Sequence, residues 1–90
     1  MALYYFYKEC NDKKFEEICE YIEFIYPDFV KESLLIDVDF SMIQVYEKGD
    51  KKIVVVNDAE SDIITARSNL DLINFKYTIA YLENDELIYT

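Results

Sequence analysis

The chain contains no histidine and no tryptophan, and it has only one glycine, one proline and two cysteines among its 90 residues. Without histidine it lacks the side chain that enzymes use most often as a general base near neutral pH. It also contains no glycine-rich phosphate-binding loop, no serine nucleophile elbow and no zinc-ligand spacing. The sequence therefore predicts a protein that is not an enzyme and that needs no cofactor and no metal ion.

Two segments that could bind a metal ion lack the ligand pattern that such a site requires. Cys10 and Cys19 are separated by eight residues, which is a poor metal-ligand spacing in a chain without histidine. The segment that begins at Asp58 resembles the start of a calcium loop. However, Ile63 stands where that loop needs glycine, and Asn69 stands where it needs a bidentate glutamate. We expect Cys19 to pack as a small core residue.

The N-terminal apolar run is too short for a signal peptide and lacks a basic leader. No apolar stretch approaches the length of a membrane span. These features predict a cytoplasmic protein with reduced thiols and no membrane partner.

Acidic residues are what the chain has in excess, with 19 Asp and Glu against 9 Lys and Arg and a net charge of −10. Phosphate binding needs clustered cations, so a nucleic acid is disfavoured as a direct ligand. A basic surface on another protein is the partner that such a charge favours. The simpler interpretation is a well-solvated acidic domain. With 52% apolar residues, the chain is expected to form one domain with a packed core.

The first half of the chain carries clear patterns. Residues 3–7 are wholly apolar and aromatic, which predicts a buried central strand. Asn11 or Asp12 can cap a following helix, which Pro27 ends. Alternation over residues 34–40 predicts a further strand. The apolar face of the helix comprises Phe15, Ile18, Cys19, Ile22 and Ile25, and the strand should turn Ile36, Val38 and Phe40 inward and Asp37 and Asp39 outward.

The second half is less regular. A change of phase at residues 41–43 predicts a bulge, after which the strand continues to about Tyr46, and Gly49 makes a hairpin turn. Residues 53–56 predict a second central strand. Apolar steps of four and three over residues 59–73 predict a helix capped by Asp58, although its β-branched residues weaken that prediction. A period of two over residues 73–81 predicts a strand, followed by a turn at 84–85 and a last strand at 87–89.

The resulting order is β-α-β-β-α-β with one extra C-terminal antiparallel strand. This is the ferredoxin-like pattern of the α+β class, with two helices on one face of the sheet. In that topology the first and third strands are central, and these are the two runs that are apolar throughout. Because such folds host many unrelated activities, the fold indicates little about function.

The predicted first helix carries a stripe of acids, Asp12, Glu16, Glu20 and Glu23, at steps of four, four and three. Like charges one turn apart repel, so a stripe of this kind suits an external cationic surface; a solvated helix face is the alternative. Two aromatic residues near the stripe, Tyr21 and Phe24, are typical of interface anchors or pack under a neighbouring loop.

Further acids lie outside the helix. On a strand, Asp37 and Asp39 would point to the same side, about 6.6 Å apart. Carboxylates in such a row can imitate a phosphate backbone for a basic groove. Glu60 and Asp62 add a separate acidic cluster.

These patterns predict an inhibitor that binds and blocks a basic nucleic-acid-binding surface of a partner protein by mimicking nucleic acid. Size, fold class and charge are compatible with small phage proteins that block host defence nucleases, such as anti-CRISPR proteins; this analogy rests on no aligned residues. One alternative is an immunity protein that neutralises a nuclease toxin. An alternative of another class is a small homo-oligomeric regulatory or structural domain, for example a homodimer. The predicted partner-binding residues are Glu16, Glu20, Glu23, Tyr21, Phe24, Asp37, Asp39, Glu60 and Asp62.

Overall fold

Six antiparallel strands and two helices make up the part of the chain that the structure, a computed structural model, describes, which is residues 1–83. The strands follow the order β1-β6-β5-β4-β2, and β3 also pairs with β4. The predicted α+β class is confirmed. The elements are β1 (Ala2–Tyr7), α1 (Asp12–Ile25), β2 (Val30–Lys31), β3 (Leu35–Ile36), β4 (Met42–Lys48), β5 (Lys51–Asp58), β6 (Ile63–Ser68) and α2 (Ile73–Glu83).

Helix α1 forms where the sequence predicts it. The side chain of Asn11 accepts a hydrogen bond from the backbone N–H of Lys14 at 2.9 Å, as expected of an N-cap. The helix ends at Ile25, two residues before Pro27. Its apolar face packs on the sheet through the buried residues Phe15, Ile18, Cys19 and Ile22.

Strand β5 is the centre of the sheet, as the apolar run at residues 53–56 predicts. The hairpin from β4 to β5 turns at Gly49, whose φ of 60° is the left-handed conformation predicted for it. The prediction that residues 3–7 form a central strand is wrong, because β1 lies at the edge and pairs with β6. Its burial comes instead from α2: the rings of Phe6 and Phe75 meet edge to face at 6.1 Å.

The alternating segment 34–40 does not form the predicted strand. Within this segment, only the two residues of β3 pair with β4. The chain then makes a tight turn in which Asp37 N–H donates to Ser41 O and Phe40 N–H donates to Asp37 O. The residues predicted to face inward are exposed instead: Ile36 by 62%, Val38 by 95% and Phe40 by 78%. This turn, rather than a bulge at 41–43, explains the change of phase, because β4 pairs with β5 in unbroken register from its first residue.

Two further segments have the opposite secondary structure to the one predicted. The helix predicted over 59–73 is wrong: Asp58 accepts the N–H groups of Glu60 and Ser61 and closes a turn, after which β6 follows as a strand. The strand predicted over 73–81 is also wrong, because this segment is α2. The Asp71 side chain accepts the Ile73 N–H at 3.0 Å where the helix begins.

The ferredoxin-like topology is consequently not confirmed, since the observed strand order is β1-β6-β5-β4-β2. The turn predicted at 84–85 and the extra C-terminal strand predicted at 87–89 lie outside the described residues. Within residues 1–83, neither helix combines the length and apolar content needed to cross a membrane.

Both helices pack on one face of the sheet, and the core lies between them and that face. A contact between Tyr26, just after α1, and Phe75 of α2, with ring centroids 6.2 Å apart, joins the two helical regions. Strand residues alternate between the faces, so the other side of the sheet, here called the open face, is covered by neither helix. The strand residues buried in the core include Tyr4, Phe6, Tyr46, Ile53, Val55, Ile64 and Ala66.

Candidate functional site

Three of the predicted acids line an open groove between α1 and the outer edge of β4. The groove has a volume of about 420 Å³. Glu16, Glu20 and Glu23 border it from the helix, and Glu32, between β2 and β3, borders it with Lys31 and Gln44. Glu32 was missed by the sequence reasoning, because nothing in the local pattern distinguishes this single acid from other surface residues. The structure thus gathers four carboxylates around one groove.

Glu23 differs from Glu16 and Glu20 because its carboxylate interacts with two other side chains of this protein. The Tyr46 hydroxyl donates to Glu23 Oε2 at 2.7 Å, and Lys31 Nζ lies 3.2 Å from the same oxygen. Burial, followed by the hydrogen bond to Glu23, raises the pKa of Tyr46 far above its ordinary value, so this hydroxyl remains a donor. Glu23 therefore holds α1 to the sheet, whereas Glu16 and Glu20 are exposed and offer their charges outward.

A second group of acids surrounds the start of α1. Asp62 Oδ1 accepts the backbone N–H of Cys10 at 2.8 Å. The pKa of the Cys10 thiol is raised, first by burial and then by nearby carboxylates, so these groups lie close enough to act on one sulfur atom. The carboxylates that act on it are those of Asp12, Asp62, Asp58 and Asp39. Within residues 1–83, no three Cys, Asp or Glu side chains are arranged to hold a metal ion.

The fully buried Asn57 of β5 holds the start of α1 against the sheet. Its side-chain oxygen accepts the Asn11 N–H at 3.0 Å, and its Nδ2 donates to Asp12 Oδ1 at 3.0 Å. Asp12 is thereby fixed at the start of α1, and the acids of the helix extend from it over about 16 Å to Glu23. We call these acids, together with Glu60 of the β5–β6 turn, the acidic band: Asp12, Glu16, Glu20, Glu23, Glu32, Asp39, Asp58, Glu60 and Asp62.

Asp37 and Asp39 do not form the predicted row on one side of a strand. Both close the turn before β4: Asp37 Oδ1 accepts the Val38 N–H at 2.7 Å, and Asp39 Oδ1 accepts the Ser41 N–H at 3.0 Å. Hydrogen bonding from Ser41 lowers the pKa of Asp39 below its ordinary value, so this carboxylate keeps its charge. Ser41 Oγ in turn accepts the Ala59 N–H, which places this turn beside the acids of the β5–β6 turn.

The exposed apolar side chains near the acids are partly those predicted. Phe24 is 83% exposed, whereas Tyr21 is half-buried and packs against the core. Val38 and Phe40 are also exposed, although the sequence predicted that they face inward. They lie at the tip of the turn that Asp37 and Asp39 close. The pair of aspartates could have indicated this turn in the sequence, because Asp favours turns over strands.

Comparison with known proteins identified no relative of this chain. No protein-family model matches the chain, and neither a curated protein nor a solved structure is significantly similar to it. Functional inference therefore depends on the charges, exposures and contacts described above.

Proposed function

We propose that this protein has a binding function rather than a catalytic one, and that it inhibits a nucleic-acid-binding protein by covering that protein's basic surface with the acidic band. The observation that carries the proposal is the continuity of the band. It runs along α1 and, through Asp12, onto the two neighbouring turns. Regularly spaced carboxylates offer a basic groove the same kind of anionic oxygens as a phosphate backbone.

Lys31 neutralises one member of the band, because its ammonium lies 3.2 Å from Glu23 Oε2. The carboxylates of Glu16 and Glu20 remain exposed beside it. Glu16 and Glu20 stand one helical turn apart, where their repulsion costs the helix a few tenths of a kcal/mol. A cationic partner relieves that repulsion, so binding gains from an arrangement that folding alone does not favour.

Exposed apolar side chains supply a second part of the proposed contact. Phe24 on α1 and Val38 and Phe40 at the turn are largely in solvent. Large apolar groups bordered by charges are typical of protein interfaces, where they contribute much of the binding energy while the charges speed encounter. In this proposal the acids attract the partner, and the three apolar side chains slow its release.

The test begins with immobilised protein exposed to host lysate at low salt, followed by elution with duplex DNA or RNA. A partner held through its nucleic-acid-binding surface is released by the competing nucleic acid and can be identified by mass spectrometry. Recovery of a defence nuclease assigns an anti-defence role, and recovery of a toxin nuclease assigns an immunity role. The purified partner is then tested for loss of nucleic-acid binding when this protein is added.

A pair of double variants separates the acidic band from net charge. Glu16→Gln with Glu20→Gln removes two charges from the band. As the control, Glu47→Gln with Asp50→Asn removes two charges from the β4–β5 hairpin, where Glu47 pairs with Lys52 on the open face and Asp50 lies in the turn. Exposed ion pairs contribute about 0.2–1 kcal/mol each, so the band variant should bind the purified partner between about twofold and thirtyfold more weakly.

The control variant should bind within about twofold of the unaltered protein, because its charges lie away from the contact. Added salt should reduce the difference between the two variants. Equal losses in both variants would show that net charge alone drives binding. Partners that nucleic acid fails to elute would overturn the proposed mimicry.

A further inference from the structure

The open face of the sheet is apolar, which is unusual for a sheet surface that no helix covers. Antiparallel sheets with one solvated face normally carry polar residues there. Here the register aligns Leu3 with Arg67, Val54 and Val45 in one row, and Tyr5 with Thr65, Val56 and Ile43 in the next. Val30 and Leu35, exposed by 61% and 56%, extend the same face along the outer edge of β4.

The open face is also electrically neutral. The charged side chains on this side of the four long strands are Glu47, Asp58, Lys52 and Arg67, two acids and two bases. Glu47 and Lys52 lie opposite each other and pair at 3.3 Å. Among the residues that the structure describes, most acids therefore lie outside the open face.

A second copy of this chain matches such a surface. An apolar face with no net charge does not repel a second copy of itself. Face-to-face contact directs the helices and the acidic band of each copy outward, apart from Asp58 at the end of β5, and so keeps most of the acids of the two copies apart. Four strands about 4.8 Å apart and six residues long cover roughly 19 by 20 Å. Allowing for side-chain relief, two such faces bury on the order of 1,000–1,200 Å² in total, which is the range of weak, transient interfaces.

We propose that two copies of this protein associate through their open faces into a symmetric β-sandwich dimer, with the sheets about 10 Å apart. The small interface and the large net charge of each copy favour a weak dimer whose population depends on concentration. Higher salt screens the repulsion between the copies and strengthens the dimer. This response is opposite to that of the acidic band, whose contacts with a basic partner weaken in salt, so the two proposals are tested separately.

The experiment is sedimentation velocity of the purified chain from low micromolar to near-millimolar concentration, at low and at moderate salt. Val54→Lys places a charge at the centre of the open face, on the central strand β5. Val38→Lys is the matched control, because it makes the same substitution at a 95% exposed position on the hairpin tip. Thr65→Lys provides a second open-face variant at a position that is already polar, in case Val54→Lys does not fold.

The expected result is a concentration-dependent dimer for the unaltered chain and for Val38→Lys, and a monomer for Val54→Lys and Thr65→Lys with unchanged circular dichroism. A monomer at all concentrations of the unaltered chain overturns the proposal and leaves the open face to another occupant. Dimers that persist in both open-face variants also overturn it, since association then uses a different surface.

Discussion

Phe40 occupies a backbone conformation that costs the fold stability, and this cost can be measured. Its φ is 68°, in the left-handed region where the Cβ of an L-residue crowds the following carbonyl at a cost of about 1–2 kcal/mol. Three-residue hairpin loops usually place glycine at this position. The side chain recovers little by burial, because it is 78% exposed.

Comparing Phe40→Ala with Phe40→Gly isolates the backbone contribution, because both variants lose the whole ring. Glycine escapes the left-handed penalty of about 1–2 kcal/mol, and it loses roughly 0.5–1 kcal/mol to its greater freedom in the unfolded chain. Phe40→Gly should therefore be more stable than Phe40→Ala by about 0.5–1 kcal/mol. For a domain of this size the difference corresponds to a melting temperature higher by about 2–8 °C, read from thermal unfolding by circular dichroism.

The same pair of substitutions at Val38 is the control. Val38 is 95% exposed in the same turn and is not among the residues with positive φ. There, Val38→Ala should be more stable than Val38→Gly by about 0.5–1 kcal/mol, the reverse of the order at Phe40. If alanine is also the more stable replacement at Phe40, the left-handed conformation assigned to this residue is refuted.

Three further predictions concern stability and are measured by denaturant unfolding. Asn57→Ala should cost about 2–3 kcal/mol, because it leaves the Asn11 N–H without its acceptor and frees the start of α1. Burial raises the pKa of Cys19 from 9.0 to about 11, and the pKa of Tyr46 is also raised. The folded state therefore keeps protons that the unfolded chain loses, so the unfolding free energy should fall by roughly 2 kcal/mol between pH 9 and 11; Cys19→Val should reduce this slope. Gly49→Ala should cost about 1 kcal/mol through its φ of 60° alone, because an added Cβ meets no atom within 4 Å.

Sequence reasoning located α1 and the β4–β5 hairpin because independent local signals agree there. Asn11 provides the cap, four apolar residues keep a helical period, and Pro27 ends the helix. Gly49 provides the left-handed turn between two apolar runs. Where cap, period and terminator agree, tertiary contacts do not need to decide the structure.

The prediction of a helix over residues 59–73 was wrong because the open face of the sheet is itself partly apolar. In β6, the core side carries Ile64, Ala66 and Ser68, while the open side carries Ile63, Thr65 and Arg67, so each side mixes apolar and polar residues and neither stands out. Alternation is therefore lost from the sequence, and a chance helical period takes its place. A strand whose two sides are alike in polarity is identified by its β-branched residues rather than by its period.

Among residues 72–79, the buried positions are Leu72, just before α2, and Phe75, Lys76 and Ile79 within it. Their spacing is helical, but a buried lysine breaks the apolar pattern and leaves the alternation of Ile73, Phe75 and Tyr77 more visible. Glu16, Glu20, Glu23, Glu60 and Asp62 were identified from the sequence, whereas Glu32 was not. The assembly of the acids into one band was not predictable, because it depends on Asn57 and Asp62 joining the start of α1 to distant parts of the chain.

Among residues 1–83, the acids lie mostly outside the neutral open face, so their charge is distributed asymmetrically. In the field of the basic partner proposed above, an asymmetric charge experiences a torque as well as an attraction, which turns the helical side toward the partner before the surfaces touch. Fewer encounters would then arrive in an unproductive orientation. Under that proposal the placement of the charge, beyond its total of −10, determines which face meets the partner first.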